Sequence, residues 1–364
     1  MHSNAKLLPE GTVLLSFKLS IGRVGFAGCS LYTNEAIAGL RSDSLDHNFL
    51  YHGLQQWDLL QGVDQAIKGA TLNKKKLKLI EFDYPIDNCE QAKIAEILST
   101  VDRAIEHTEA LIAKQERIKT GLMQDLLTHG IDKHGNLRSE STHQFKDSPL
   151  GRIPVEWKVY PISRFGSKCR PWLRSGPFGS DLNTKHWVTE GVPVLTIGSL
   201  GEGEIIEKEL LFVSDETSDA LKGFRVQSRD IIFSRVADIG RSVVVREHQT
   251  DWIISSNLMR ISLDSESANP EFLYENIAFN PQIKAQLRTA SNSGGREIVN
   301  GPILGGLLFP WPDIQEQSRI VSRLESVESI RRVLHEQLSK YLAFKTGLMQ
   351  DLLTGKKRVT PLLG

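Results

Sequence analysis

Apolar residues recur at alternating steps of three and four along two long stretches of the chain, residues 90–128 and 316–354. A spacing near 3.5 residues predicts a long helix with one apolar stripe, and such a stripe needs a partner helix to cover it. The stripe positions are Ile94, Leu98, Val101, Ile105, Leu122, Leu126, Ile320, Leu324, Val327, Leu334, Leu338, Leu348 and Leu352. The sequence therefore predicts two long helices whose natural partners are each other.

The two stretches are copies of one unit. The word KTGLMQDLLT occurs without a change at 119–128 and at 345–354, and both stretches begin with Glu-Gln. Upstream, FLY at 49–51 matches FLY at 272–274, and IGR at 21–23 matches IGR at 239–241. Because an internal repeat reflects a repeated structural unit, the globular segments are expected to be duplicated together with the helices.

The sequence pattern alone leaves the direction of the helix pair open. A globular segment of about 180 residues separates the helices, so the pair could lie antiparallel or parallel. In the alternative, the two helices are unrelated and each packs only on its own domain. The identical helix ends argue against that alternative.

Between the helices the chain alternates short apolar runs with turn residues. The runs 192–197, 230–233 and 242–245 predict strands, and Pro270 stands at a position that suits the first turn of a helix. An α/β or α+β fold is expected. The predicted domains are 1–88, a partial first domain; 89–130, the first helix; 131–149, a linker; 150–312, the second domain; 313–355, the second helix; and 356–364, a tail.

Composition narrows the class of protein without naming a partner. The chain has 44 Lys plus Arg and 44 Asp plus Glu, so a surface for nucleic acid must come from local clustering. Cys29, Cys89 and Cys169 are isolated and no metal-ligand spacing occurs, which indicates a reduced cytoplasmic protein without a metal. No signal pattern or membrane-length apolar run is present, so neither export nor a membrane is expected.

Catalytic motifs are missing from the sequence. It contains no phosphate-binding GxxxxGK[ST], no GxGxxG, no HExxH and no GxSxG. The word NPQI at 280–283 lacks the second proline and the aromatic residue of an adenine methyltransferase box. The chain is therefore expected to carry no reaction chemistry of its own.

Basic and small polar residues concentrate in the predicted loops of the second domain. Gly and Ser let backbone amides approach phosphates, while neighbouring guanidinium groups reach base edges. This pattern favours DNA binding over a solvated surface. The candidate residues are Arg170, Arg174, Ser175, Lys185, Arg235, Arg241, Ser293 and Arg296. Arg235, Arg241 and Arg296 are the leading candidates for DNA contacts.

Three features resemble the specificity (S) subunits of type I restriction-modification enzymes. They are the duplicated helix ending in LMQDLLT, the word FSRVADIGR at 233–241, and SGPFGSDL at 175–182 followed by the strand word GVPVLTIGSL. The resemblance implies two target-recognition domains, each reading one half of a bipartite double-stranded DNA site. It also implies that the two helices form an antiparallel coiled coil.

The resemblance further implies partners in defence against foreign DNA. These are methyltransferase (M) subunits that use S-adenosylmethionine and restriction (R) subunits that hydrolyse ATP with Mg, so no cofactor is expected in this chain. By matching motifs, candidate DNA contacts in the first copy are Lys18, Arg23, Lys68 and Thr71.

The first copy departs from the pattern, because it has no counterpart of SGPFGSDL or GVPVLTIGSL. Without those strands, sheet edges and apolar faces are expected to be exposed. Two alternatives to a bipartite reader therefore stay open. The chain could be an assembly scaffold without a functional bipartite reader, or a half-subunit in which two chains pair on a palindromic site.

Overall fold

The computed structural model describes residues 6–18, 21–57, 59, 77, 80–292 and 298–363. Helices and strands are mixed, and two helices, α2 (Asn88–Thr128) and α7 (Ile314–Leu352), are far longer than the other described helices. The chain forms two compact units: unit 1 contains residues 1–114 and 331–364, and unit 2 contains residues 115–330. Each long helix is therefore shared between both units.

The described part of unit 1 contains a three-stranded antiparallel sheet covered by one short helix. The elements are β1 (Val13–Ser16), β2 (Val24–Phe26), β3 (Ile37–Leu40) and α1 (His47–Gln56), with β1 at the centre of the sheet. Val13 and Leu15 alternate along β1 and are fully buried against Leu50 and Leu54 of α1. This alternation is what a strand with one covered face requires.

Among its described residues, unit 2 contains two four-stranded sheets and four short α-helices. The β11 sheet has the order β12 (Ser242–Val244), β11 (Ile231–Ser234), β14 (Leu258–Ile261), β7 (Leu173–Ser175). The β9 sheet has the order β13 (Ile253–Ile254), β9 (Val192–Leu195), β10 (Leu211–Val213), β8 (Trp187–Val188). The remaining elements are β4 (Phe145–Ser148), β5 (Gly151–Pro154), β6 (Lys158–Pro161), β15 (Leu308–Trp311), α3 (Asp215–Ala220), α4 (Pro270–Phe279), α5 (Pro281–Asn292) and α6 (Gly301–Gly306).

Both faces of the β11 sheet are covered. Ile231 and Phe233 point into a core built with α4, α5 and α6, whereas Ile232 packs with the β9 sheet. A strand buried on both sides must be apolar at every position, which explains the run Ile231-Ile232-Phe233. The core holds the sheet rigid, and the loops at its ends are thereby held in place.

The two units share one strand arrangement in the same register. Val13 pairs with Phe26 and Leu40 in unit 1, and the corresponding Ile231 pairs with Val244 and Ile261 in unit 2. The duplication read from the sequence is therefore a duplication of the sheet.

The outer edge of that sheet differs between the units. In unit 2 the outer edge of β14 pairs with β7, whereas no described residue pairs with the outer edge of β3 in unit 1. The side chain of Leu8 lies over Gly39, where unit 2 has Arg260. The expected exposure applies to Phe26 and Tyr32, which are 41% and 64% exposed, but not to the buried Val13 and Leu15.

The long helices pair antiparallel in both units. In unit 1, Ile94 and Leu98 near the start of α2 share a core with Leu352 near the end of α7. In unit 2, Leu126 near the end of α2 packs with Ile320 near the start of α7. The predicted coiled coil and the antiparallel direction implied by the resemblance are confirmed, and the alternative of two unrelated helices is excluded.

The predicted stripe residues differ in burial along the pair. Val101, Ile105 and Leu324 are buried, as are the stripe residues already placed in the two cores. Leu122, Val327, Leu334, Leu338 and Leu348 are partly exposed. The seam is thus tightest where the helices also pack on the globular part of each unit.

Two buried carboxylates lie at the starts of the long helices. Asp313 caps α7 by accepting from the Glu316 amide at 2.8 Å. The side chain of Glu316 binds Arg138 and accepts from Trp157 Nε1 at 3.1 Å. Glu90 holds Arg358 in the same way in unit 1. A buried carboxylate needs a cation more than the helix end needs a second cap.

Two connecting segments are more structured than the sequence indicated. The predicted linker 131–149 contains β4, which pairs with β5, and it supplies Arg138. The predicted tail 356–364 supplies Arg358 and the buried Val359. These segments therefore belong to the cores at the helix starts.

Candidate nucleic-acid interface

Loops from several strands gather at one end of the β11 sheet. Ser234 at the end of β11 pairs with Leu258 at the start of β14, and Ser175 at the end of β7 pairs with Met259. The hairpin turn 235–241 and the residues following 293–297 lie at the same end, because Ile298 pairs with Val236. We call the segments 175–182, 235–241, 255–257 and 298–299 the loop edge. Three sequence-predicted candidates, Ser175, Arg235 and Arg241, come together there.

Arg241 braces the hairpin turn. Its guanidinium forms an ion pair with Asp238 at 2.7 Å and donates to the carbonyl of Leu200 at 3.1 Å. Ala237 and Gly240 take positive φ angles of 58° and 92°, which a tight turn between antiparallel strands requires. The turn is thus fixed by hydrogen bonds before any ligand arrives.

Among the described residues, the Arg235 guanidinium has fewer partners than that of Arg241. Its backbone is held on both sides, donating to Asn257 and accepting from Val299. Its Nε is buried and has no hydrogen-bond partner among the described residues. The fixed backbone places the partly exposed side chain of Arg235 at the loop edge, where a guanidinium group can contact a base edge.

The loop after β7 is clamped against the turn before β14. A Cβ at Gly176 would lie 1.9 Å from the Ser255 carbonyl oxygen, so only glycine fits this close approach. Pro177 is buried and Phe178 is 81% exposed. Lys185 is exposed farther along the same loop, where its amide donates to the Asn183 side chain at 3.1 Å.

A cleft of about 460 Å³ opens beside the hairpin turn. Lys284 and Arg288 lie one helical turn apart on α5 and line it, together with Arg241, Asp238 and others. The sequence-based prediction did not include these two cations. Their i, i+4 spacing on a helix that runs directly into the SNSGGR word at 291–296 was the available signal.

The other predicted contacts lie elsewhere in unit 2. Arg170 precedes β7 at the opposite end of the β11 sheet and forms an ion pair with the buried Asp230. Arg174 lies in β7 with its guanidinium 4.6 Å from the centre of the Phe224 ring. Both side chains therefore make contacts within unit 2 and lie outside the loop edge.

The remaining candidates lie in unit 1 or outside the described residues. In unit 1, Lys18 forms an ion pair with Glu35 at 3.3 Å, and Arg23 is exposed just before β2. Ser293, Arg296, Lys68 and Thr71 fall outside the described residues.

Neither a metal cluster nor a membrane helix is found in the part of the chain that the structure describes. There, no group of three or more His, Cys, Asp or Glu side chains is placed to hold an ion. Likewise, none of the helices in that part combines the length and the apolar composition needed to cross a bilayer.

Comparison with known proteins identifies the family. The profile of the type I restriction modification DNA specificity domain matches residues 1–117 and 154–342. These two matches cover most of the chain and fall on both copies of the repeat. The chain therefore belongs to this family, and the resemblance read from its motifs is confirmed.

Individual relatives have low sequence identity to this chain, but their alignments cover most of it. The specificity subunit of the type I restriction enzyme MjaVIII from Methanocaldococcus jannaschii is 24% identical over 320 residues, 86% of this chain and 71% of that protein. The EcoBI specificity subunit from Escherichia coli is 24% identical over 363 residues, 95% of this chain and 74% of that protein.

Solved structures show the same fold. The S subunit from M. genitalium aligns with a TM-score of 0.58 at 16% identity, covering 96% of this chain and 84% of that one. A chain from a structure that concerns complex assembly and conformational transition of the type I system aligns with a TM-score of 0.57 at 14% identity, covering 98% and 85%. The mixed α and β fold with a paired-helix connection is thus confirmed.

Proposed function

We propose that this chain is the DNA-specificity subunit of a type I restriction-modification complex, and that the loop edge of unit 2 enters the major groove of DNA. The observation that carries the proposal is the convergence of Ser175, Arg235 and Arg241 at one end of the β11 sheet. Rigid loops that present guanidinium groups can read base edges, because each base pair shows a distinct donor and acceptor pattern in that groove.

The cations of the site divide into two roles. Arg235 has a partly exposed side chain on a fixed backbone at the loop edge, so it is the candidate for reading a base. Lys284 and Arg288 stand on a helix face in the neighbouring cleft, so they are candidates for contacts to phosphates. Arg241 shares its charge with Asp238 and serves chiefly to hold the turn.

The chain itself would act by directing other subunits. The relatives are named as specificity subunits of restriction enzymes, which supports association with methyltransferase (M) and restriction (R) subunits in the cytoplasm. In this proposal S-adenosylmethionine, ATP and Mg bind to those subunits, and this chain contributes DNA recognition without catalysis.

The internal repeat supports the proposal of a bipartite target. Unit 1 has the same strand register as the centre of the β11 sheet, and it offers Lys18 and Arg23 near the corresponding strand ends. We propose that each unit reads one half of the site and that the paired helices connect the two readers.

The test uses the full chain assembled with its methyltransferase subunits. Methylated positions are mapped by sequencing, and affinity is measured on the resulting target as a function of salt. Arg235→Ala should cost about 1 to 3 kcal/mol and relax one base position. Lys284→Ala with Arg288→Ala should weaken binding to every sequence and lower the salt slope by about two, one for each cation removed from a phosphate.

Arg152→Ala is the matched control, because Arg152 is exposed and forms only a surface ion pair with Glu140. It should change neither specificity nor the salt slope. An assembly that methylates the same bases with the same affinity after all three substitutions at Arg235, Lys284 and Arg288 would overturn the placement of the DNA at the loop edge.

A scaffold role is the second candidate. It is favoured by one observation, that β3 lacks among the described residues the partner strand that β14 has in β7. In that case unit 1 would bind methyltransferase subunits without reading DNA. A methylated motif that contains only one specific half would support this role over the bipartite reader. A palindromic motif would instead support the half-subunit alternative, in which two chains pair.

A further inference from the structure

Phe178 is an apolar side chain that is exposed to solvent. Its ring is 81% exposed, whereas Pro177 before it and Leu182 after it are buried. Burying an aromatic ring is favourable by a few kcal/mol. An exposed ring between buried neighbours lacks this stabilisation. A single exposed apolar residue is common on surfaces, and exposure alone therefore decides nothing.

The loop that carries Phe178 keeps the ring outside. On one side, Gly176 is fixed by its amide, which donates to the Leu258 carbonyl at 2.9 Å, and by its close approach to the Ser255 backbone. On the other side, the Phe178 carbonyl accepts from the amides of Asp181 and Leu182 at 2.9 and 3.1 Å. The backbone is thus held on both sides of the ring, which keeps the Phe178 Cα at the loop edge.

The ring also stands among the proposed DNA-reading groups. Phe178 follows Ser175 at the loop edge, and the Ser255–Asn257 turn that clamps its loop also holds the Arg235 amide. The proposed function places DNA at this edge, and Lys284 and Arg288 in the neighbouring cleft supply cations for its phosphates. In the major groove the apolar group on a base edge is the 5-methyl of thymine, which pairs well with an aromatic side chain.

We propose that Phe178 packs against the 5-methyl group of one thymine in the half-site read by unit 2. This rests on the proposed function, and it adds a sequence-determining contact that no charged or polar group can supply. The contact discriminates thymine from cytosine at one position and leaves the hydrogen-bonded positions to the arginine residues.

The experiment removes the methyl group and the ring separately. The full chain is assembled with its methyltransferase subunits and titrated with duplexes of its methylated target, in which each thymine is replaced in turn by deoxyuridine. At one thymine the wild-type assembly should bind about fourfold more weakly, the equivalent of ~0.8 kcal/mol for one buried carbon group. Phe178→Ala should bind the parent duplex more weakly than the wild-type assembly does. It should bind the deoxyuridine duplex as tightly as it binds the parent duplex.

Two further variants keep the result interpretable. Phe178→Leu retains an apolar side chain and should keep part of the thymine preference, which a variant that merely unfolds the loop would not do. Val155→Ala is the control, because Val155 is 38% exposed and follows β5, outside the loop edge. It should behave as the wild type does on every duplex.

Any one of three outcomes of the titration would overturn the proposal. Phe178→Ala could keep full affinity, it could keep the thymine preference, or the wild-type assembly could tolerate deoxyuridine at every position. Strong fluorescence from 2-aminopurine placed beside the contacted step would indicate that the ring unstacks bases, which also contradicts a groove contact. Failure of the proposed function is distinguishable, since the wild-type assembly would then not prefer its target over a scrambled duplex.

Discussion

Single charged residues at the helix starts show how burial decides the role of a side chain. Glu316 and Arg138 are 2% and 9% exposed, and the carboxylate also accepts from the Ile131 amide at 3.1 Å. Glu90 is fully buried in unit 1, but the side chain of its partner Arg358 is 59% exposed. The two ion pairs occupy corresponding places, yet water can reach only one of the two cations.

The difference predicts unequal costs for removing the two arginines. Arg138→Ala should lower the free energy of unfolding by about 3 to 5 kcal/mol, because it leaves the Glu316 carboxylate buried without its cation. Arg358→Ala should cost less, since water can enter where the exposed guanidinium was. Thermal and urea unfolding of both variants measure the difference. Equal decreases would show that burial of the cation does not set the cost.

At the residue scale the structure also separates cations that look alike in the sequence. Arg170 and Arg235 both lie in loop sequence, but Arg170 meets the buried Asp230, whereas Arg235 has a buried Nε without a partner among the described residues. The sequence could not make this distinction, because Asp230 is distant along the chain. Lys284 was missed for the same reason, since only the fold brings α5 to the hairpin turn.

At the element scale, one position beside the helix pair carries different titrating groups in the two units. In unit 1, His52 of α1 lies 3.7 Å from Asp102, which pairs with Lys345 at 2.8 Å. In unit 2, the corresponding position is Glu275 of α4, and the corresponding pair is Lys119 with Glu328 at 2.8 Å. Both units keep the ion pair between the long helices, while the titrating group next to that pair differs.

The surroundings shift the pKa values of the two groups in opposite directions. Burial lowers the pKa of His52 to about 4; the charge of Asp102 opposes this and that of Lys345 adds to it. Burial raises the pKa of Glu275 to about 7, against the effect of Lys119 and with that of Glu328. Each group is therefore held in its neutral form over a wider pH range than in an unfolded chain.

Opposite pH dependence of the two units follows. Folded Glu275 holds a proton between pH 4.5 and about 7 that the unfolded chain releases, so its contribution to stability is lost as the pH rises. Folded His52 lacks a proton that the unfolded chain binds between pH 6.5 and about 4, so its contribution is lost as the pH falls. Glu275→Gln should raise the free energy of unfolding at pH 8 by ~1 to 2 kcal/mol and change little near pH 4.

Denaturant unfolding from pH 4 to 8 measures this, with His52→Gln as the matched variant. That substitution should instead flatten the decrease of stability on the acid side. Curves that stay parallel to the wild type at every pH for both variants would contradict the assignment of these two groups.

At the scale of the whole molecule, the repeat defines two units that differ in their described elements. Both contain the same central strands in the same register, but only unit 2 adds β7 and the β9 sheet among the described residues. Gly39 of unit 1 accommodates Leu8 where unit 2 has a long side chain on a covered face. Unit 1 thus closes over its own core with a smaller set of elements.

The proposal that each unit reads one half of the site predicts that the two units respond separately to substitution. Lys18→Ala with Arg23→Ala should cost about 1 to 3 kcal/mol for each base pair that is no longer recognised, and it should change one half of the methylated motif only. Arg235→Ala should change the other half. Mapping of methylated adenines produced by both variants is the measurement. Changes at the same bases would show that the two units do not read separate halves.

Much of the architecture was accessible from the chain itself. The period of the apolar residues predicted α2 and α7 to within about one helical turn of their observed ends, and the repeated word predicted that the units are copies. Both are local properties, since a stripe is set by neighbours three and four positions away. The family followed from short words such as FSRVADIGR for the same reason.

Only the tertiary structure decided which distant groups meet. The antiparallel direction of the helix pair, the partner of Glu316 and the brace between Arg241 and Leu200 all join residues far apart in the sequence. A sequence pattern records which side chains favour burial or a charged partner, but many partners satisfy that demand equally well. The choice among them is made by chain closure and packing, which act only once the whole fold is formed.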